Sequence, residues 1–93
     1  MQKDKEKEEE LKRIRIEYRK SVGNKLKEAR VRAGYTQKDV CRIMKERGNY
    51  DMPQAVLSNY ECGNRMPPMD TFALLAKIYK TTADELLDNK SPI

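Results

Sequence analysis

The chain has 93 residues and a net charge of +5, with 38% of its residues charged. This length allows one small hydrophobic core and excludes a large cleft between two lobes. The chain has no His, and its two Cys form no CxxC pattern, so we expect no metal and no cofactor. It also lacks a nucleophile elbow and a phosphate-binding loop, and we therefore expect that it is not an enzyme.

The distribution of charge and hydropathy narrows the class of protein further. The sequence has no apolar run long enough to span a bilayer, and its N-terminus is charged where a secretory signal would be apolar, so we expect a cytoplasmic protein. Residues 21–65 carry nine basic and five acidic residues, whereas residues 66–93 carry three and four. A positive region of this kind attracts a polyanion such as nucleic acid or an anionic membrane, but it also promotes solubility.

Residues 1–20 form a charged N-terminal arm with eight basic and six acidic residues. The large apolar side chains of this arm are Leu11, Ile14, Ile16 and Tyr18. Opposite charges four residues apart favour a solvated helix, but Gly23 and Asn24 are expected to interrupt it because both lower helix propensity. We therefore expect the domain to begin near residue 21, with the arm as either a helix or a fraying tail.

The domain, residues 21–88, is predicted to contain five short helices. The first is expected to end at Gly34, and Thr36 is expected to cap the second, with Asp39 completing a capping box. Pro53 suits the first turn of the third helix. The second helix is expected to stop at Gly48 and Asn49, and the remaining predicted helices cover Gln54 to Glu61, about Met69 to Tyr79, and a segment that opens with a capping box over residues 82–85. Residues 89–93 are predicted to be a loose tail.

Three motifs give a specific resemblance. They are Gly34-Tyr-Thr-Gln37, the run from Leu57 to Gly63 that continues into Asn64-Arg65 and Pro67, and Ala83-Asp-Glu-Leu-Leu87. In this order and near this spacing they resemble the lambda-repressor and Cro-like, or XRE-type, helix-turn-helix family over residues 21–87. The resemblance implies an all-α, five-helix DNA-binding domain, with helix 3 in the major groove and helix 2 across the phosphate backbone.

The resemblance also implies which side chains read bases. The candidates are Gln54, Ala55, Ser58 and Asn59 on the exposed face of helix 3. The carboxamide of Gln54 offers a donor and an acceptor, which together match adenine, whereas Ala55 can only touch a thymine methyl group. The alternative is a polar surface that contacts nothing.

A second group is implied to contact the DNA backbone. It consists of Gln37, Lys38, Arg42, Asn64 and Arg65. Gln37 opens helix 2, where a phosphate would meet the positive end of the helix dipole. Alternatively, Lys38 and Arg42 form an ordinary charged helix face, and Arg65 enters a minor groove or is solvated.

The resemblance assigns structural roles to three more residues. Arg30 and Glu61 are implied to form an ion pair between helix 1 and the end of helix 3. Cys41 occupies a position where relatives carry a small alanine, so it is interpreted as a packed side chain and not a redox switch.

One segment departs from the family pattern. Seven residues separate Met44 from Met52, about four more than the tight turn of the family. Because a helical turn takes 3.6 residues, a second helix longer by about one turn would keep Met44 buried and place Lys45 outside. The alternative is a flexible loop, and either one would change the orientation of helix 3 relative to the family pattern.

Together these observations predict a transcriptional regulator, expected to be a repressor, that binds double-stranded DNA as a homodimer and does not bind membranes. The expected dimer surface is helices 4 and 5, with Leu11, Ile14 and Tyr18 of the arm as the alternative. A different function for the same fold is a protein-interaction regulator, such as an antitoxin or antirepressor-binding module, whose arm holds a partner protein.

Overall fold

A computed structural model describes residues 2–87, with side chains from residue 6 onward, and it is entirely α-helical apart from turns and loops. The helices are α1 Gln2–Arg32, α2 Gln37–Gly48, α3 Gln54–Glu61, α4 Met69–Ile78 and α5 Ala83–Leu87. The predicted five-helix, all-α fold is confirmed. The predicted loose tail, residues 89–93, lies outside the described residues. Within the described part of the chain, no helix is long and apolar enough to cross a membrane.

The first helix differs from its predicted bounds. The first helix of the domain was expected to start near residue 21, and Gly23 and Asn24 were expected to interrupt the helical pattern, but α1 is continuous over 31 residues. Val22, Leu26 and Ala29 belong to the core, so tertiary packing holds the helix together at the two residues of low propensity. The arm is therefore an N-terminal extension of α1, and the molecule is elongated, with principal extents of 52 × 25 × 18 Å.

Gly23 is required by a close approach between α1 and the end of α3. A Cβ atom at this position would lie 2.6 Å from the carbonyl oxygens of both Tyr60 and Glu61. Gly63, with φ of +78°, makes the reciprocal contact, because its Cβ would lie 2.7 Å from Cα of Lys20. Two glycines thus bring the backbone of α1 against the C-terminal end of α3.

The second helix follows the prediction closely. Thr36 accepts a hydrogen bond from the backbone N–H of Asp39, and the Asp39 carboxylate accepts one from the backbone N–H of Thr36, which confirms the capping box. At the other end, α2 reaches Gly48 and closes with Asn49 in the left-handed conformation, at φ of 49°. The predicted extra turn is confirmed, with Met44 buried and the three residues after it exposed.

The segment between α2 and α3 is anchored, in contrast to the flexible loop that was the alternative. The Tyr50 hydroxyl lies 2.8 Å from the hydroxyl of Thr71, which is fully buried in α4. Met52 is also buried, with 4% of its surface exposed. These two contacts fix the path of the chain into α3.

The last three helices end close to their predicted bounds. Pro53 is the N-cap residue of α3 and has an extended conformation. It was expected in the first turn of the helix, which begins one residue later. Tyr79 is the C-terminal cap of α4 and not its last residue. At α5, Thr82 accepts a hydrogen bond from the Glu85 N–H, but the Glu85 carboxylate accepts from the Thr81 hydroxyl, so only half of the predicted capping box forms.

The core draws on all five helices. Its fully buried members include Leu26 of α1, Val40 of α2, Leu57 of α3, Leu75 of α4 and Leu86 of α5. Because α3 contributes Leu57 and Tyr60 to this core, its opposite face is left on the surface. The core therefore sets which side chains of α3 are available to a ligand.

Candidate nucleic-acid interface

The exposed face of α3 carries the four predicted base readers. Gln54 and Ala55 are exposed at the start of the helix, and Ser58 and Asn59 are half-buried one turn later. Their spacing places them on the side away from Leu57. The structure therefore brings all four together on one accessible surface.

Arg30 and Glu61 form the ion pair that the resemblance implied. Arg30 Nε lies 2.8 Å from Glu61 Oε2, and Nη2 lies 3.1 Å from Oε1, which is a two-point contact. The remaining Nη1 donates to the carbonyl oxygen of Tyr35 at 2.8 Å. The hydrogen bond to Glu61 raises the pKa of the Arg30 guanidinium, and only 11% and 3% of the two side chains are exposed.

Gln37 joins this ion pair to the exposed face of α3, a connection that sequence reasoning missed. Its Nε2 donates to Glu61 Oε1 at 3.1 Å, and its Oε1 accepts a hydrogen bond from Gln54 Nε2 at 3.3 Å. The result is a chain of polar contacts from Arg30 through Glu61 and Gln37 to Gln54. No sequence pattern indicates this connection, because it depends on how α1, α2 and α3 are placed relative to one another.

The two predicted backbone contacts on α2 differ in their surroundings. Lys38 is exposed, and no intramolecular partner is seen for it within the described residues. Arg42 is exposed but lies 3.5 Å from the Asp39 carboxylate and 4.0 Å from Glu46. Hydrogen bonds from Thr36, and to a smaller extent from Arg42, lower the pKa of Asp39, so this carboxylate is ionised at neutral pH.

Asn64 and Arg65 lie on the surface just beyond α3. Asn64 Nδ2 donates to the side-chain oxygen of Asn59 at 3.5 Å, and the backbone N–H of Asn64 donates to the Asn59 carbonyl at 3.0 Å. This contact fixes the loop relative to α3. The Arg65 side chain is exposed beside it.

Cys41 is half-buried against the core. Burial raises the pKa of its thiol, which disfavours the reactive thiolate. This environment matches the interpretation of a packed side chain.

Taken together, α2 and α3 present one polar and cationic surface. α2 places the cations Lys38 and Arg42 beside the amide of Gln37, and α3 places small polar side chains next to them. This is the arrangement of a helix-turn-helix, in which one helix spans the phosphates and the next presents side chains to base edges.

The sequence comparisons agree with this class. A helix-turn-helix family profile matches residues 26–86, about two thirds of the chain. The chain belongs to the XRE-type, lambda-repressor-like helix-turn-helix family. It is 42% identical over 67 residues to the HTH-type transcriptional regulator ImmR of Bacillus subtilis (strain 168). That match covers 72% of this chain but only 48% of ImmR, so the chain spans about half the length of this relative. No solved structure matches the chain.

Proposed function

We propose that this protein is a sequence-specific DNA-binding transcriptional regulator that acts as a repressor, without a catalytic step. The observation that carries the proposal is the outward face of α3, where Gln54 and Ala55 are exposed and Ser58 and Asn59 are half-buried on the side away from the core. The major groove of B-DNA is wide enough to admit an α-helix. α3 reads the bases there, while α2 lies against the phosphates.

Gln54 is the principal base reader in this proposal. Gln37 accepts a hydrogen bond from its Nε2, which holds the carboxamide in one orientation before DNA arrives. An amide of fixed orientation presents its oxygen as the acceptor for adenine N6–H and its second N–H as the donor to adenine N7. Ser58 and Asn59 add further hydrogen-bonding groups, and Ala55 contacts a thymine methyl group.

The phosphate contacts supply most of the affinity. Lys38 is free of intramolecular ion pairs in the described part of the chain and is the strongest candidate. Arg42 must give up its exposed pairs with Asp39 and Glu46, which are weak. Gln37, Asn64 and Arg65 border the same surface and complete the contact.

The protein acts as a homodimer on an operator of approximate two-fold symmetry. One α3 reads only a few base pairs, and each good two-point contact contributes about 1–3 kcal/mol of discrimination, which is too little to select one site in a genome. Two copies double the discrimination. Half-sites about 34 Å apart, or at a multiple of this spacing, would place both α3 helices on one side of the duplex.

The experiment that tests the proposal is a mobility-shift assay with the purified chain and the DNA upstream of its own gene, in modest salt. We expect a complex that resists competition by unrelated DNA. Equal competition by unrelated and upstream DNA, across overlapping fragments, would contradict sequence-specific binding. Complete absence of DNA binding would favour the protein-interaction function instead.

A further inference from the structure

The N-terminal part of α1 carries an apolar stripe that the protomer leaves partly exposed. Burial of α1 in the core begins at Val22. Before it, Leu11 and Tyr18 are 62% and 37% exposed, and Ile14 is half-buried. These three residues follow one another at intervals of three and four, which places them on one face of the helix. The spacing is that of a helix-pairing seam.

The charges on either side of this stripe are segregated along the helix. Residues 6–10 contain four Glu and one Lys, whereas residues 12–20 contain five Lys or Arg and one Glu. A second helix placed antiparallel sets the acidic segment of each copy against the basic segment of the other. A parallel pair would set like charges against each other, which is unfavourable.

We propose that the arm, residues 6–20, is a dimerisation surface whose partner is the arm of a second copy of this chain, in antiparallel orientation. Leu11 of each copy then packs against Ile14 of the other, and the two-fold axis passes between residues 12 and 13. Tyr18 packs against the aliphatic part of Lys7. The surface is self-complementary both in its apolar stripe and in its charge, as two-fold symmetry requires.

This pairing separates the two globular parts along the helix pair. Helix rise is about 1.5 Å per residue, so the two copies of Val22 would be roughly 30 Å apart along the helix pair. The two globular parts therefore sit at opposite ends of the pair and do not collide. The inference deepens only the homodimer part of the proposed function, because pairing of the arms requires no DNA contact.

Helices α4 and α5, the dimer surface first expected from the sequence, are a weaker candidate for dimerisation than the arm. Phe72, Leu75 and Leu86 are buried inside the protomer, and Leu74, Ile78 and Leu87 are partly buried against its core. Met69 is exposed over 90% of its surface, but no segregated charge accompanies it. The arm combines an apolar stripe with charge complementarity, and α4 and α5 do not.

Cysteine cross-linking of the full-length chain tests the orientation. The natural thiols are first replaced, as Cys41→Ala and Cys62→Ser, and Lys7→Cys and Tyr18→Cys are then made separately in that chain. In the antiparallel pair, position 7 faces position 18, while two copies of the same position are roughly 16 Å apart along the axis, too far for a disulfide. We expect the disulfide dimer only when the two variants are mixed. Cross-linking of either variant alone, or none in the mixture, would overturn the proposal.

Light scattering without DNA tests the surface itself. We expect a concentration-dependent dimer whose mass falls by half in the double variant Leu11→Ser, Ile14→Ser. The control, Lys12→Ser with Glu17→Ser, lies off the stripe, keeps the net charge and is expected to remain dimeric. A wild-type chain that is monomeric at every concentration, or a stripe variant that stays dimeric, would contradict the proposal. Salt-dependent DNA binding by the monomeric variant would show that the DNA contact survives, so the two proposals fail separately.

Discussion

At the scale of single residues, Arg30 and Glu61 form an ion pair that joins α1 to α3 and is largely shielded from solvent. We expect Arg30→Ala or Glu61→Ala to destabilise the fold by about 3–5 kcal/mol, because each leaves a buried charge without its partner. Thermal unfolding measures the loss. Arg42→Ala, which removes two weak exposed pairs, is the control and should cost less than about 1 kcal/mol.

The same variants separate structure from recognition. The loss of DNA-binding free energy per folded molecule should be smaller than the loss of unfolding free energy. The reason is that the pair is largely buried and is not part of the exposed face of α3. Unchanged melting midpoints for both single variants would contradict the role assigned to the pair.

Thr36 and Asp39 make the start of α2 sensitive to acid. The pKa of Asp39 is lower in the folded protein, so its contribution to stability is present above the unfolded pKa and is lost as pH falls through the folded value. We expect Asp39→Asn to flatten the dependence of unfolding free energy on pH below about 4. Denaturant unfolding at several pH values measures this, and a variant with the wild-type pH profile would contradict it.

At the scale of helices, two glycines provide a matched comparison. Gly23→Ala improves helix propensity by up to about 1 kcal/mol but places a Cβ 2.6 Å from two backbone oxygens that cannot turn away. We expect a net destabilisation of about 1–3 kcal/mol, typical of overpacking. In Gly48→Ala the nearest atom is 3.8 Å away, so that variant should be neutral or slightly stabilising.

Chemical denaturation of these two variants measures the difference. A Gly23→Ala variant as stable as the wild type would show that α1 and α3 can separate at this point. It would also remove the reason given for the glycine.

The helices also show what the sequence could and could not predict. The bounds of α2 follow from local chemistry: a capping box at Thr36 begins the helix, and a left-handed residue, Asn49, ends it. Both signals can be recognised in the sequence. The continuity of α1 could not be predicted, because Gly23 is a poor helix former whose contact lies in α3, far along the chain. The hydrogen bond between Gln37 and Gln54 could not be predicted from the sequence either, since it depends on how α2 and α3 are oriented. The four side chains on the face of α3 were predictable, because their spacing and the family pattern agree.

At the scale of the whole molecule, the positive surface predicts salt-dependent DNA binding. Lys38, Arg42 and Arg65 are the exposed cations next to the recognition face. At a slope of about −0.9 per neutralised phosphate, they predict a log–log salt slope of about −3 per protomer. Lys38→Ala should weaken specific and nonspecific binding alike and reduce the slope by about 1. Affinity that stays constant as salt is raised would contradict these contacts.

The central claim is that α3 reads DNA sequence through the face that carries Gln54. The most direct measurement is fluorescence anisotropy at fixed salt with the preferred upstream fragment and a scrambled fragment, for the wild type, Gln54→Ala and the control Lys45→Ala. We expect Gln54→Ala to lose about tenfold to hundredfold in affinity for the specific fragment and almost nothing for the scrambled one, while Lys45→Ala changes neither. Equal loss on both fragments, or no loss on either, would contradict the claim.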